Sequence, residues 1–298
     1  MDQTRVTLAN GIELDTVDVG PRDAPVLIFL HGFPESHRTW RHQIAHFSGE
    51  YRCIAPDQRG YRGSSKPDGV DSYTPDKLVG DIFLLADALG VKDFTIIGHD
   101  WGGAIAWGVA MAGEQMGRVP RAVIANAPHH AVFQKLLYSS PVQREASQYM
   151  RGFRDPANDA LVIEKGLFGI LEAQIRWDAP DKMEPEERAR LLEDWQDRDA
   201  AFAMLNWYRA SPIDIPAMDA PFEIPEGWAP PPFPPLTIPT LVIWAQDDLA
   251  LPPENTAELS QHVKDLTLVE VPDCGHFVPW EAPEQVNAAM EEFFARTA

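Results

Sequence analysis

The chain has 298 residues, 45% of them hydrophobic, and carries 25 Lys and Arg against 45 Asp and Glu for a formal net charge of −20. That length supports one large core with room for an inserted subdomain, while so acidic a surface excludes nucleic acid and anionic membrane surfaces as partners and disfavours strongly anionic substrates. The two cysteines, Cys53 and Cys274, make neither a disulfide framework nor a zinc site, and the absence of a signal pattern or a run of ~20 apolar residues leads us to expect a soluble, cytoplasmic protein.

In chain order, short β-branched and apolar runs predict strands at 6–8 (VTL), 12–19 (IELDTVDV), 26–30 (VLIFL) and 52–55 (RCIA). Continuous runs such as VLIFL suit strands covered on both faces. After VLIFL comes His31-Gly32-Phe33-Pro34, a loop that can present the Phe33 backbone N–H to a developing oxyanion. The sequence leaves the bond before Pro34 open between cis and trans. After RCIA comes DQRGYRGSS, whose Asp57 and arginines read as structural ties. Cys53 reads as a small buried hydrophobe. A helix is predicted over 74–89: Thr74 as its cap, Pro75 in the first turn, Leu78, Ile82, Leu85 and Leu89 on one stripe, and Gly90 as its end.

The run FTIIG at 94–98 leads into Gly98-His99-Asp100-Trp101-Gly102-Gly103, the spacing of a strand–elbow–helix turn that thrusts its central side chain out at the carboxyl edge of a sheet. Many hydrolases carry serine there; this chain carries Asp100. A carboxylate with an ordinary pKa of ~3.9 is ionised at neutral pH and needs no base to activate it. It can displace a leaving group at saturated carbon, and the resulting ester offers a carbonyl that water can attack. Asp100 therefore points to two-step cleavage of a C–O or C–halogen bond. The free N–H of Trp101, at the start of the following helix, would be the second oxyanion donor. His99 reads as a brace for the elbow.

A strand at 122–126 (AVIAN) is followed by a stretch of helical pattern: SPVQREASQYMRGF, NDALVIEKGLFG, EPEERARLLEDW and RDAAFAMLNWYRA. Its exit, Pro212 to Pro239, holds ten prolines in 28 residues and reads as an extended connector. Strands resume at 240–245 (TLVIWA) and 266–271 (LTLVEV). After the first, Asp247 and Asp248 offer a carboxylate to orient a histidine, and Asp248, deeper in the turn beside Leu249-Ala250-Leu251, is the expected partner. After the second, His276 in DCGHF is the expected general base for the water step. The alternation of strand and helix argues for a mostly parallel eight-stranded sheet flanked by helices. We divide the chain into a core at 1–128 and 236–298 and a helical insertion with its Pro-rich return at 129–235.

Taken together, HGFP, DQRGYRGSS, GHDWGG, DDLALP and DCGHF resemble the α/β-hydrolase fold family, and within it the soluble epoxide hydrolase branch, over nearly the whole chain. The resemblance implies that the helical insertion is a cap over the carboxyl edge of the sheet. It also implies two ring-opening tyrosines: Tyr149 in SQYMRGFRDP and Tyr208 in LNWYRA match the cap segments that bear them. An epoxide oxygen needs a proton as it leaves, and a neutral phenol can donate one. The implied catalytic set is Asp100, His276, Asp248, Tyr149 and Tyr208, with Phe33 and Trp101 forming the oxyanion hole and shaping the substrate pocket. The substrates would be a small apolar epoxide and water, with no metal or organic cofactor, in a monomer or homodimer. The alternative is a haloalkane or haloacid dehalogenase using the same nucleophile. Two features weigh against it: haloalkane dehalogenases often have asparagine where this chain has Phe33, and fluoroacetate dehalogenases have arginine where it has Trp101. His129 and His130 stand at the cap entrance, where the family pattern more often has proline second, and receive no role.

Overall fold

The computed structural model describes residues 3–174 and 183–297, so residues 175–182 of the expected insertion lie outside it. Eight strands form one sheet: β1 (Thr4–Thr7), β2 (Glu13–Val19), β3 (Val26–Leu30), β4 (Arg52–Pro56), β5 (Thr95–His99), β6 (Ala122–Ala125), β7 (Thr240–Ala245) and β8 (Leu266–Val271). Their order is β1-β2-β4-β3-β5-β6-β7-β8. β2 pairs antiparallel with β1 and with β4, and every other pairing is parallel. The uninterrupted apolar runs sit where both faces are covered: every residue of β4, β5, β6 and β7 is buried. The edge strand β1 is largely exposed, and β8 at the other edge alternates.

Alternation along the central strands divides the core in two. Ile28, Ile54, Ile96, Ile124 and Val242 face one way. Leu27, Phe29, Cys53, Ile97, Val123, Leu241 and Ile243 face the other. The helices, in chain order, are α1 (Arg41–Phe47), α2 (Pro75–Ala88), α3 (Trp101–Met116), α4 (His130–Ser139), α5 (Pro141–Ala146), α6 (Gln148–Arg154), α7 (Asp159–Lys165), α8 (Leu167–Gln174), α9 (Pro185–Asp194), α10 (Arg198–Ala210), the single turns α11 (Leu259–His262) and α12 (Val278–Glu281), and α13 (Pro283–Arg296). Leu78, Ile82 and Leu85 of α2 and Ile105, Ala106 and Val109 of α3 complete the first core layer. Ile44 and Phe47 of α1 and Val286, Met290, Phe293 and Phe294 of α13 complete the second.

Local chemistry sets the element ends, and in places it departs from the sequence reading. Thr74 precedes α2 in extended conformation, but its side chain makes no cap. Its carbonyl accepts from the N–H groups of Lys77 (3.0 Å) and Leu78 (3.2 Å), and Pro75 has no N–H to satisfy. The stretch over 140–153, read as one helical pattern, is two helices that break at Ser147, and the stretch over 158–169 breaks at Gly166, whose φ is +66°. A Cβ at Gly166 would also lie 2.5 Å from the carbonyl oxygen of Trp195, so only glycine lets the chain pass there.

β6 and β7 are parallel neighbours, so the chain that leaves the carboxyl end of β6 must return to the opposite edge of the sheet before β7 can start. The proline-rich return spans that distance in extended form and cannot form a ladder of its own. Arginines from the helical segment satisfy its carbonyls instead. Arg151 donates to Ile215 (2.7 Å), and Arg144 donates to Ala220 (2.8 Å) and Pro221 (2.9 Å). Arg144 is fully buried, with its guanidinium 3.9 Å from the centre of the Phe222 ring.

Candidate active site

β5 runs into α3 through Asp100, held at φ +51° and ψ −122°, a region that L residues rarely adopt. The turn closes because the flanking glycines allow near contact: a Cβ at Gly98 would stand 2.3 Å from the carbonyl oxygen of Gly102, and one at Gly102 2.3 Å from that of Leu30. The Asp100 side chain therefore emerges beside the loop after β3. There its Oδ1 accepts the backbone N–H of Phe33 at 2.7 Å. His31 fixes that loop: its Nδ1 donates to the Gly32 carbonyl (2.9 Å), while its Nε2 accepts the Gln58 N–H (3.1 Å). The Phe33–Pro34 bond is cis. Burial alone would raise the Asp100 pKa, but the His276 hydrogen bond and charge, with the Trp101 backbone N–H, hold it below the usual carboxylate range.

His276 lies in the loop after β8. Its Nδ1 donates to Asp248 Oδ2 at 2.7 Å, and its Nε2 stands 3.5 Å from Asp100 Oδ2. Asp248 is buried after β7, whereas Asp247 is exposed. Burial works against a charge on His276, but the two carboxylates outweigh it and raise its pKa well above the imidazole value. With Asp100 ionised, the histidine is thus an imidazolium between two anions. The His99 Nε2 donates to the His276 carbonyl at 2.8 Å and so ties the elbow to the histidine loop.

The helical segment supplies the opposite wall. Tyr208 of α10 is buried with its ring against Phe33 and Trp101, both 5.0 Å between centroids. Tyr149 of α6 stands 6.2 Å from the Tyr208 ring. Burial, with the Asp100 charge adding, pushes both phenol pKa values up, so both hydroxyls keep their protons at neutral pH. The structure therefore gathers Asp100, His276, Asp248, Phe33, Trp101, Tyr149 and Tyr208 at the carboxyl edge of the sheet.

Three residues that sequence reasoning passed over belong to the same neighbourhood. Asn126, at φ +38° just past β6, donates through Nδ2 to Asp248 Oδ2 (2.7 Å) and accepts the Ala245 N–H (2.9 Å). The other Asp248 oxygen accepts the N–H groups of Ala250 (2.8 Å) and Leu251 (2.9 Å), so the carboxylate that holds His276 is saturated. Glu35 is buried beneath the oxyanion loop, accepting from Thr39 Oγ1 and Trp280 Nε1 at 2.8 Å each, and burial raises its pKa to about 7. Tyr61 is a third buried phenol in the field of Asp100. Of these, only Glu35 carries a local signal, being a carboxyl placed directly after HGFP.

Other sequence candidates are tied elsewhere. Asp57 is buried and accepts the N–H and Nδ1 of His37 at 2.9 Å each; burial opposes its charge, but those bonds hold its pKa well below the carboxylate range. Arg59 makes two 2.7 Å bonds to Asp81. At the start of α4, His129 stacks on His262 with ring centroids 4.2 Å apart and His130 lies tilted against His129 at 4.8 Å; burial first, then the charges of His130 and His262, lowers the pKa of His129 to about 2, and burial, then the His262 charge, lowers that of His130 to about 4. Among the described residues no group of three or more His, Cys, Asp or Glu is placed to hold a metal ion, and no helix is long and apolar enough to cross a membrane.

Comparison with known proteins adds a lineage to this geometry. A family profile described as the α/β hydrolase fold matches residues 25–283. The chain is 33% identical to the AB hydrolase superfamily protein YfhM of Bacillus subtilis over 286 residues, 95% of each chain. It is 30% identical to epoxide hydrolase 1 of Caenorhabditis elegans over 95% of this chain and 68% of that protein. Among solved structures, one from work on epoxide hydrolases in metagenomes from hot environments superposes with a TM-score of 0.96 at 72% identity, covering 99% of this chain and 98% of the other. An epoxide hydrolase from Bacillus megaterium gives 0.84 at 27% identity, with 98% and 100% covered.

Proposed function

This chain belongs to the α/β-hydrolase fold family, and we propose that within it the protein works as an epoxide hydrolase that makes a vicinal diol through a covalent ester on Asp100. The observation that carries the mechanism is the state of one carboxylate: Asp100 Oδ1 already accepts the Phe33 N–H at 2.7 Å, while two protonated phenols, on α6 and α10, lie in the field of its charge.

Asp100 Oδ2 attacks a ring carbon, and the C–O bond of the epoxide breaks. Tyr149 and Tyr208 hydrogen-bond to the departing oxygen, and one of them transfers its proton to it. Both phenols hold their protons tightly, so they remain donors until a strongly basic alkoxide develops. Esterification removes the charge on Asp100, one of the two anions that raise the pKa of His276. The imidazolium then becomes an acid able to restore the phenol proton, and the neutral ring that remains is the base for the second step. Water, deprotonated by His276, attacks the Asp100 carbonyl carbon. The oxyanion forms where Phe33 and Trp101 direct their N–H groups; its collapse breaks the bond from the carbonyl carbon to the substrate oxygen, that oxygen takes the second proton of the water, and the diol leaves Asp100 as a carboxylate beside a protonated His276. Asp248 fixes the ring and balances its charge.

In this reading the helical segment is a cap over the core. The substrate is a small epoxide without charge, in keeping with the aromatic wall of Phe33, Trp101, Phe153 and Tyr208 and with the net charge of −20.

The test is a trapped intermediate. His276→Gln exposed to styrene oxide should gain one substrate mass on the peptide that contains Asp100, and wild type turned over once in heavy-oxygen water should carry label in that carboxylate. An unmodified peptide together with label only in the diol would refute the covalent route. Halide release from a haloalkane, with no diol from the epoxide, would instead mark a dehalogenase.

A further inference from the structure

The two phenols sit on different helices, so their separation depends on how α6 and α10 are held together. Both helices end close to the site. The last carbonyls of a helix have no partner within it and must be satisfied from outside. Phe153 is the penultimate residue of α6, and Tyr208 is two residues from the end of α10. The residue that follows each of them is an arginine, and the two arginines cross. Arg154 donates its Nε to the Tyr208 carbonyl at 2.8 Å. Arg209 donates its Nε to the Phe153 carbonyl at 3.2 Å.

Each arginine is also fixed at its far end. Arg154 reaches the Ile213 carbonyl at 2.7 Å, at the start of the proline-rich return. Arg209 forms an ion pair with Asp159, the first residue of α7. The exchange sets register as well as distance, because each bond falls on the backbone of the residue whose ring lines the site. Phe153 is fully buried, and its ring meets Tyr149 at 5.3 Å and Tyr208 at 5.0 Å, in edge-on geometry with both. A guanidinium near a helix carboxyl end also opposes the negative pole of that helix.

We propose that Arg154 and Arg209 are positioning residues for ring opening: their reciprocal bonds to the Tyr208 and Phe153 carbonyls fix the separation and aim of the Tyr149 and Tyr208 hydroxyls. The inference rests on the reading of those hydroxyls as the proton-donating pair. Neither arginine touches substrate, and neither takes part in the ester step. Their effect therefore falls on one half of the reaction.

Single-turnover kinetics with styrene oxide and excess full-length enzyme separate the halves, following formation and decay of the alkyl-enzyme by mass after acid quench. Arg154→Met and Arg209→Met should each slow ring opening by about tenfold or more and leave ester hydrolysis within about twofold. Placed in a Tyr149→Phe/Tyr208→Phe background, Arg209→Met should slow ring opening no further, because nothing is left for it to aim. If the tyrosine changes themselves leave ring opening at the wild-type rate, the reading of the phenols has failed. If they slow it, the arginine proposal is overturned by any of three results: wild-type ring opening in the arginine variants, equal slowing of both halves, or full additivity with the tyrosine changes. Should Arg154→Met not fold, Arg209→Lys decides the matter. It keeps a cation for Asp159, gives up the Nε donor, and should still slow ring opening selectively; a wild-type profile overturns the proposal.

Discussion

Glu35 is a carboxyl under the active site that the environment keeps from ionising at its usual pH. Burial raises its pKa from 4.5 to about 7 even though Thr39 and Trp280 donate to it. A group whose pKa is higher in the folded than in the unfolded protein binds its proton more tightly when folded. The stability it contributes is complete below about pH 4.5 and is lost as pH rises through about 7, at about 1.4 kcal/mol for each unit of separation. Glu35→Gln can keep the oxygen that accepts from Trp280 and offers its amide to the Thr39 hydroxyl, so the packing should survive. Urea unfolding of both proteins at several pH values across this window should show the stability of wild type relative to Glu35→Gln falling as pH rises from about 4.5 to 7, since the other titrating groups cancel in the difference. Parallel curves would show that Glu35 already ionises freely in the fold. The sequence placed Glu35 beside the oxyanion loop but could not reveal this, because the cause is burial under Trp280, 245 residues away.

At the scale of elements, the elbow was legible because its chemistry is local. Three glycines around Asp100 stand close together in sequence and answer to close approaches, Gly98 to Gly102 within the turn, Gly102 to Leu30 of β3 and Gly103 to Ala127 after β6. Gly102→Ala tests the one that abuts another strand: the added methyl would stand 2.3 Å from the Leu30 carbonyl oxygen, and backbone cannot yield as a side-chain tip can. We expect α3 to be pushed off β3, with a loss of about 2–4 kcal/mol by thermal or urea unfolding, typical of forced overpacking at a backbone contact. Turnover should fall further than the unfolded fraction explains, since the Asp100 carboxylate would leave the Phe33 N–H. A variant with wild-type melting and wild-type rate would show the turn to be more tolerant than its geometry implies. Other elements were read less well for an equally physical reason. Asn126 and Asp248 are 122 residues apart, and no pattern in either stretch announces that one amide spans them. The breaks at Ser147 and Gly166 interrupt continuous apolar periodicity, because the helices must turn to pack on one another and a stripe does not record where. The choice of Asp248 over Asp247 rested on depth in a turn, and it is Asp248 that meets His276.

For the molecule as a whole, the distribution of histidines matters more than the catalytic one alone. His31 and His99 are buried and His130 is half-buried, each with its pKa lowered to about 4, and buried His129 is lowered to about 2, with desolvation the main cause in every case. They sit in different places: under the oxyanion loop, behind the elbow, and at the start of α4. The unfolded chain takes up protons at these rings as pH falls below about 6.5, while the fold refuses them until lower pH. Stability contributed by a neutral buried ring is therefore present above 6.5 and drains as the solution is acidified. His276 and Glu35 act in the opposite sense but are fewer. Melting temperature should fall steeply between about pH 6 and 4, and His130→Asn should make the fall shallower; equal slopes would show that the stacked histidines do not contribute. Since the Asp100 carboxyl titrates below the usual range, the nucleophile would still be ready for work when the scaffold gives way. The souring of its surroundings would end this enzyme's activity through rings that never meet a substrate.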